Sequence, residues 1–224
     1  MKPGPTEIHK CPSCTKLLKK KTLLTWNTLG AKSYSDGKVI SGMSPEYPII
    51  TICPRCKTIF WMDEETLVGE YWYQNENKKW KNLDYADFLT IEESFIALER
   101  NIFAIKGDEY FIRNHILWSF NDRVRKENKL FVFSFRGKVR EKEKLFNSDY
   151  EQALYENNIK SMITLLKGDT DNDKIMLAEL NRNLGNFNLC MELLRKLEDP
   201  ELERLKTAFG KECEKMNRIV FLLD

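Results

Sequence analysis

The sequence predicts an α+β protein, with a small β-rich module over residues 1–82 and an all-α domain over residues 83–224. Three observations carry that prediction. Two C-P-x-C turns, Cys11-Pro12-Ser13-Cys14 and Cys53-Pro54-Arg55-Cys56, stand in the first part with 38 residues between them. Turn formers alternate with short β-branched runs up to about residue 80. Beyond that point, apolar residues recur at spacings of three and four.

The first part is punctuated by Gly37, Gly42, Pro45 and Pro48, and Asp36-Gly37 is a hairpin turn signal. "FW" (Phe60-Trp61) continues from the second C-P-x-C turn as a strand expected to cover the apolar side of the site. "YWYQNENKKWKNL" reads as the junction. The first helix is expected within 84–107, with Phe88, Ile91, Phe95, Leu98, Ile102 and Ile105 on one face and Gly107 as its stop. A second follows over 108–127, with Phe111, Leu117, Trp118 and Val124 inward. "KLFVFSFRGK" could be extended. A third helix spans 148–168, with an interruption near Asn157-Asn158. A fourth begins near Asp173 and turns at Gly185, a fifth runs to about Leu197, and Pro200 opens a sixth.

Composition sets the outer limits. The chain is 42% hydrophobic and 31% charged, which suits a soluble globular protein. Its 224 residues suffice for one large domain or two small ones. No apolar run approaches ~18 residues, so no membrane span is expected. "MKPGPTEIHKCPSC" has no apolar core of a secretory signal, and the expectation is a cytoplasmic protein. The net charge of +2 divides unevenly: residues 1–82 hold 13 Lys/Arg against 8 Asp/Glu, and the rest 23 against 26. Four thiolates on one zinc dication would lower the first part from +5 to +3. The basic bias is therefore modest.

Cys11, Cys14, Cys53 and Cys56 are the expected metal ligands. Four thiolates give zinc its preferred soft tetrahedral shell. A two-residue gap lets both sulfurs of a turn reach one ion, and proline at the second position pre-sets φ for that turn. A redox dithiol would need one C-x-x-C opening a helix in a βαβ setting, which neither pair has. The same residues could also hold an iron–sulfur centre. His9, two residues before Cys11, is a weaker substitute ligand. A closed four-cysteine shell makes the expected zinc structural rather than catalytic.

Other residues invite a function and a plainer reading. Lys16, Lys19, Lys20 and Lys21, with Arg55 and Lys57, could meet phosphates of a nucleic acid, and Trp26, Tyr34 or Trp61 could stack on bases. Lysines on a hairpin edge also prevent strand pairing, and Asp63-Glu64-Glu65 opposes a binding face. Trp26 with Asn27 could mark a recognition surface. Asp122 with Arg125 is an ordinary helical ion pair, and His115 is structural. Cys190 and Cys213 on apolar helical faces are small buried hydrophobes. No phosphate-cradling glycine loop, nucleophile elbow or acid–base pair is recognisable, so no enzyme activity is expected.

The paired C-P-x-C turns resemble a zinc ribbon. Such ribbons often place glycine after the second cysteine, where Thr15 and Lys57 stand here. The 38-residue insert is expected to add a hairpin of its own. Ala178, Gly185, Phe187 and Cys190 resemble the small and turn positions of a tetratricopeptide unit, with Asn181 departing from the usual aromatic. Together with "TWNTLGAKSYSDGK" and "WSFNDRVR", the chain is similar to uncharacterised bacterial proteins that join a zinc-ribbon-like module to a tetratricopeptide-like tail. The resemblance implies a zinc-binding adaptor with a protein partner on its helical domain. The alternative is a nucleic-acid-binding protein using the ribbon's basic edge.

Overall fold

The computed structural model describes residues 1–72, 78–103, 106–125 and 144–223. "KLFVFSFRGK" lies outside them. Short strands come first: β1 Lys2–Pro3, β2 Thr6–Lys10, β3 Leu17–Lys20, β4 Leu23–Thr25, β5 Lys32–Tyr34, β6 Val39–Ile40, β7 Ile50–Ile52, β8 Ile59–Trp61 and β9 Leu67–Tyr71. Helices follow as α1 Ile91–Glu99, α2 Lys106–Asn121, α3 Asp149–Leu165, α4 Asp171–Leu184, α5 Phe187–Arg195 and α6 Glu203–Glu214. Strand β10, Leu222–Leu223, comes last. The α+β class is as expected. No helix among the described residues is long and apolar enough to cross a membrane.

The chain forms two compact units. The first comprises residues 1–31 and 40–104, the second residues 32–39 and 105–224. The sequence-based division at 82 and 83 cuts the chain differently at two places. Helix α1 falls in the first unit, and the hairpin from the insert falls in the second.

In the first unit, β2 is the middle strand of an antiparallel sheet, between β3 and β9. Strands β7 and β8 form a separate hairpin, and β1 pairs with β4. Ile8, Leu18, Phe60 and Met62 are buried here. Helix α1 is shorter than the sequence suggests. Thr90 and Glu93 form a capping box that starts it at Ile91. Asn101, at φ 51°, ends it, and the Ile102 N–H reaches the Ala97 carbonyl at 3.0 Å. That local stop precedes Gly107, which lies in the first turn of α2 instead. Ser94 and Ala97 are the fully buried residues of α1, while Ile91, Phe95 and Leu98 of the expected face are half-buried.

In the second unit the core of α2 is Ile112, Ile116, Leu117 and Phe120, while Phe111 is exposed. Helix α3 runs unbroken through Asn157-Asn158. Asn158 is buried and donates from Nδ2 to the Arg113 carbonyl at 2.9 Å, so the polar pair is a helix contact and not a break. Gly185, at φ 87°, ends α4 in the left-handed cap that glycine favours. Ala178, Cys190, Leu194, Leu197, Phe209 and Cys213 share one apolar cluster under α4, α5 and α6. A 3-10 turn at Pro200–Leu202 precedes α6.

An acid-sensitive ion pair sits at the start of α3. Arg123 donates from Nη1 and Nη2 to Glu151 at 2.6 and 3.2 Å, and the Asn147 N–H adds a bond of 2.7 Å. The Arg123 hydrogen bond, and next the Asn147 N–H, hold the Glu151 carboxyl down at about 2 from an ordinary 4.5. A carboxyl depressed on folding contributes stability above its unfolded pKa and loses it as pH falls through the folded one. Thermal unfolding followed by helix ellipticity is therefore expected to show this contribution fading from pH 4.5 to about 2. Glu151→Gln should flatten that part of the profile. Some slope should remain, because hydrogen bonds from Gln152 and from Lys215 lower Glu156 and Glu212 in the same unit.

Candidate metal centre

The two C-P-x-C turns fold alike because each closes a two-stranded hairpin. The first joins β2 to β3 and the second joins β7 to β8. In the first, the Cys11 N–H reaches the Lys16 carbonyl at 2.8 Å, and the Thr15 N–H returns to the Cys11 carbonyl at 3.0 Å. In the second, Cys53 and Thr58 pair at 2.8 Å, and Lys57 returns to Cys53 at 2.9 Å. Thr15 and Lys57 take φ values of 62° and 60°. These are the left-handed positions where ribbons often carry glycine, and a side chain there costs about 1–2 kcal/mol at each.

The hairpins bring four sulfurs together. All lie within 4.8 Å of one another, with Cys11 to Cys56 at 3.6 Å and Cys14 to Cys53 at 3.5 Å. A tetrahedron with metal–sulfur bonds of ~2.3 Å has edges of ~3.8 Å, so one ion fits between them. The separations are far longer than a disulfide bond of ~2.05 Å. The closing contacts run between turns rather than within them, so an ion here would tie the hairpins to each other.

Burial and polar contacts act oppositely on the thiols. Burial pushes Cys11 up to about 12. The Thr58 hydroxyl and backbone N–H pull Cys56 down to about 6. The Ser13 and Cys14 N–H groups point at the Cys11 sulfur, and the Lys16 N–H points at Cys14. Such N–H groups offset thiolate charge when a dication is shared. Leu18, Phe60 and Met62 pack with Cys11 and Cys53 and shield one side, which is the role expected of Phe60. Trp61 instead donates from its indole to the Ile102 carbonyl at 2.7 Å. The group can hold a metal ion with all four positions filled by sulfur.

His9 is engaged elsewhere. It is buried, with Nδ1 2.9 Å from the Thr66 hydroxyl and Nε2 3.0 Å from Glu7. The lysine run is also engaged. Lys16 pairs with Asp84 and Lys20 with Glu7, each at 3.0 Å. Lys19 donates to the Lys81 carbonyl at 3.1 Å and sits over the Tyr85 ring with Lys21. Arg55 and Lys57 are exposed. Trp26 is 60% exposed, and Asn27 beside it accepts from the Leu29 N–H and the Ser41 hydroxyl. Tyr34 is buried in the second unit. Cys190 and Cys213 are buried at 3.7 Å from each other. His115 accepts at its carbonyl from Ser119.

A second cluster escapes sequence reasoning. The hairpin of β5 and β6 turns at Gly37, at φ 77°, and delivers Ser35 and Asp36 among the helices of its unit. Asp36 is 0% exposed, and Arg125 holds it at 2.6 Å while Asn121 donates at 2.8 Å. The Arg125 guanidinium also lies 4.3 Å from the Tyr34 ring centre. Asp122 pairs with Arg125 as expected, at 2.8 Å, but from an exposed position. Ser35 donates to Glu179 at 2.8 Å, and Glu179 is ion-paired with Arg182 at 2.7 Å, both fully buried. Arg182 further donates to the Asn217 and Ile219 carbonyls. The sequence signals were local: the Asp36-Gly37 turn between the two C-P-x-C turns, and the Asp122–Arg125 spacing on a helix.

No protein-family model matches this chain, and the comparisons with curated proteins and solved structures found no match.

Proposed function

We propose that this chain is a zinc-stabilised protein-interaction protein. Zinc holds the first unit together, and the helical unit offers a surface to a protein partner. The observation that carries the reading is the tetra-cysteine group, whose separations suit one tetrahedral ion. Four thiolates are the donor set of structural zinc and leave no open position for substrate or water. An iron–sulfur cluster would set several atoms between the same sulfurs and needs them farther apart.

The interaction half rests on what the surfaces offer. Open grooves run along α6, one lined by Met191, Leu194, Thr207 and Lys211, another by Ala208, Phe221 and Leu222. In the first unit, Leu24, Trp26 and Leu29 lie exposed within one short stretch, Leu29 at 84%. Exposed apolar groups of this kind suit protein contact. The tetratricopeptide-like reading of α4 and α5 adds support by analogy of fold only.

Metal analysis tests the first half. Untagged protein purified without added metal is expected to carry about one zinc per chain, and protein without bound ion would overturn the reading. Salt-dependent binding to short DNA and RNA tests the second half. No binding is expected even at low salt, because Lys16, Lys19 and Lys20 already have partners. Tight binding that weakens steeply with salt would show several phosphate contacts and favour the nucleic-acid alternative.

A further inference from the structure

The chain leaves the first unit at Ala31, contributes residues 32–39 to the second, and returns at Ile40. Both departures lie between Cys14 and Cys53, inside the loop that a shared ion would close. Both ends of the excursion are anchored in the first unit. The Ala31 N–H reaches the Thr28 carbonyl at 2.9 Å, and the Ser41 hydroxyl reaches the Asn27 carbonyl at 3.4 Å.

What the excursion supplies to the second unit is not replaceable by solvent without cost. Asp36 is the buried counter-charge of Arg125, and Ser35 donates to the buried Glu179. Strand β5 also stands between β6 and β10, with Leu222 opposite Tyr34 and Leu223 opposite Ser33. The Ser35 N–H reaches the Phe221 carbonyl at 2.9 Å, and the Phe221 N–H returns to the Ser35 hydroxyl at 3.2 Å. Among the described residues, the last strand has its sheet partner only while the hairpin is in place.

We propose that metal occupancy of the tetra-cysteine centre controls how firmly the hairpin Lys32–Val39 is held in the helical unit. This inference rests on the metal reading above. With the first unit folded, residues 40–104 of the connection between the hairpin and α2 belong to one compact body. With the metal gone and that unit unfolded, the same docking must close a flexible loop running from Val39 to Lys106. The entropy of that closure weakens docking. Hairpin and β10 then open together, leaving Arg125 without its buried partner. By linkage the effect is reciprocal: a chain with the hairpin undocked binds the metal more weakly by the same factor.

Hydrogen exchange on the full chain, with metal bound and after removal by a strong chelator, tests this. Exchange in 32–39 and 219–223 is expected to rise about tenfold or more along with that of β3 and β8, while α5 and α6 stay protected. Ser35→Ala, which removes the hydroxyl's bonds to Glu179 and to the Phe221 N–H but no charge, is expected to lower zinc affinity severalfold in competition with a chromogenic chelator. Protection of 32–39 that persists while β3 and β8 exchange would overturn the proposal. Loss of protection in α5 and α6 as well would also overturn it, as simple global unfolding. Unchanged exchange in β3 and β8 would instead sink the metal reading, and this inference with it.

Discussion

Cys53→Ser is expected to reduce bound metal to below about one-tenth per chain and to unfold residues 1–31 and 40–104. Three thiolates can still touch an ion, but the serine hydroxyl is a poor donor for it. A structural zinc site contributes on the order of 10–16 kcal/mol of apparent binding free energy near neutral pH. The first unit has little else to fall back on. Its strands are two to five residues long, and short hairpins are marginal alone. Thr15 and Lys57 carry left-handed strain besides. Limited proteolysis followed by mass spectrometry checks the outcome. Cleavage should concentrate within 1–104, the opened hairpin included, with α3 to α6 surviving as a resistant fragment. Far-ultraviolet ellipticity should fall only slightly, because α1, nine residues long, is the helix lost with the first unit. A chain that loses all cooperative unfolding would show that the two units fold as one.

Asp36→Ala is expected to destabilise the second unit by about 3–5 kcal/mol, the usual cost of leaving a buried charge without its partner. Arg125 would keep Asp122, but that carboxylate is partly exposed and screened. Asn121 loses an acceptor at the same time. Chemical denaturation of the metal-loaded protein, followed by helix ellipticity, measures the effect. The compensating change distinguishes a buried charge from a merely packed side chain. Asp36→Leu combined with Arg125→Met should cost less than Asp36→Ala alone, because no unpaired charge remains inside. An additive double variant would mean that the two residues do not act on each other.

Much of the first unit was legible from sequence for a local reason. A C-P-x-C turn is specified by four adjacent residues, and its geometry needs no distant partner. Thiolates in two such turns can share one ion, so Cys11, Cys14, Cys53 and Cys56 could be grouped before any coordinates. Asp36-Gly37 was legible in the same way, since a tight turn is a property of its own residues. Helix starts and stops were legible where the cap was conspicuous, as at Gly185. They were missed at Thr90 and Asn101, where a capping box and a left-handed asparagine ended an apolar pattern that ran past them.

What the sequence by itself determined, then, is the α+β class, the four cysteines that come together and the places where the chain turns sharply. Each depends on residues close together in the chain or on a donor type that has few uses. Only the tertiary structure decided which unit the turn at Asp36-Gly37 serves. Its partners Arg125, Glu179 and Arg182 lie about 90 to 150 residues away. A buried charge is stable only beside its counter-charge, and that pairing is a matter of three-dimensional proximity that no local pattern encodes. The same holds for Lys19 and Lys20. Their neighbours come from elsewhere in the chain: the Lys81 carbonyl and the Tyr85 ring for Lys19, and Glu7 for Lys20.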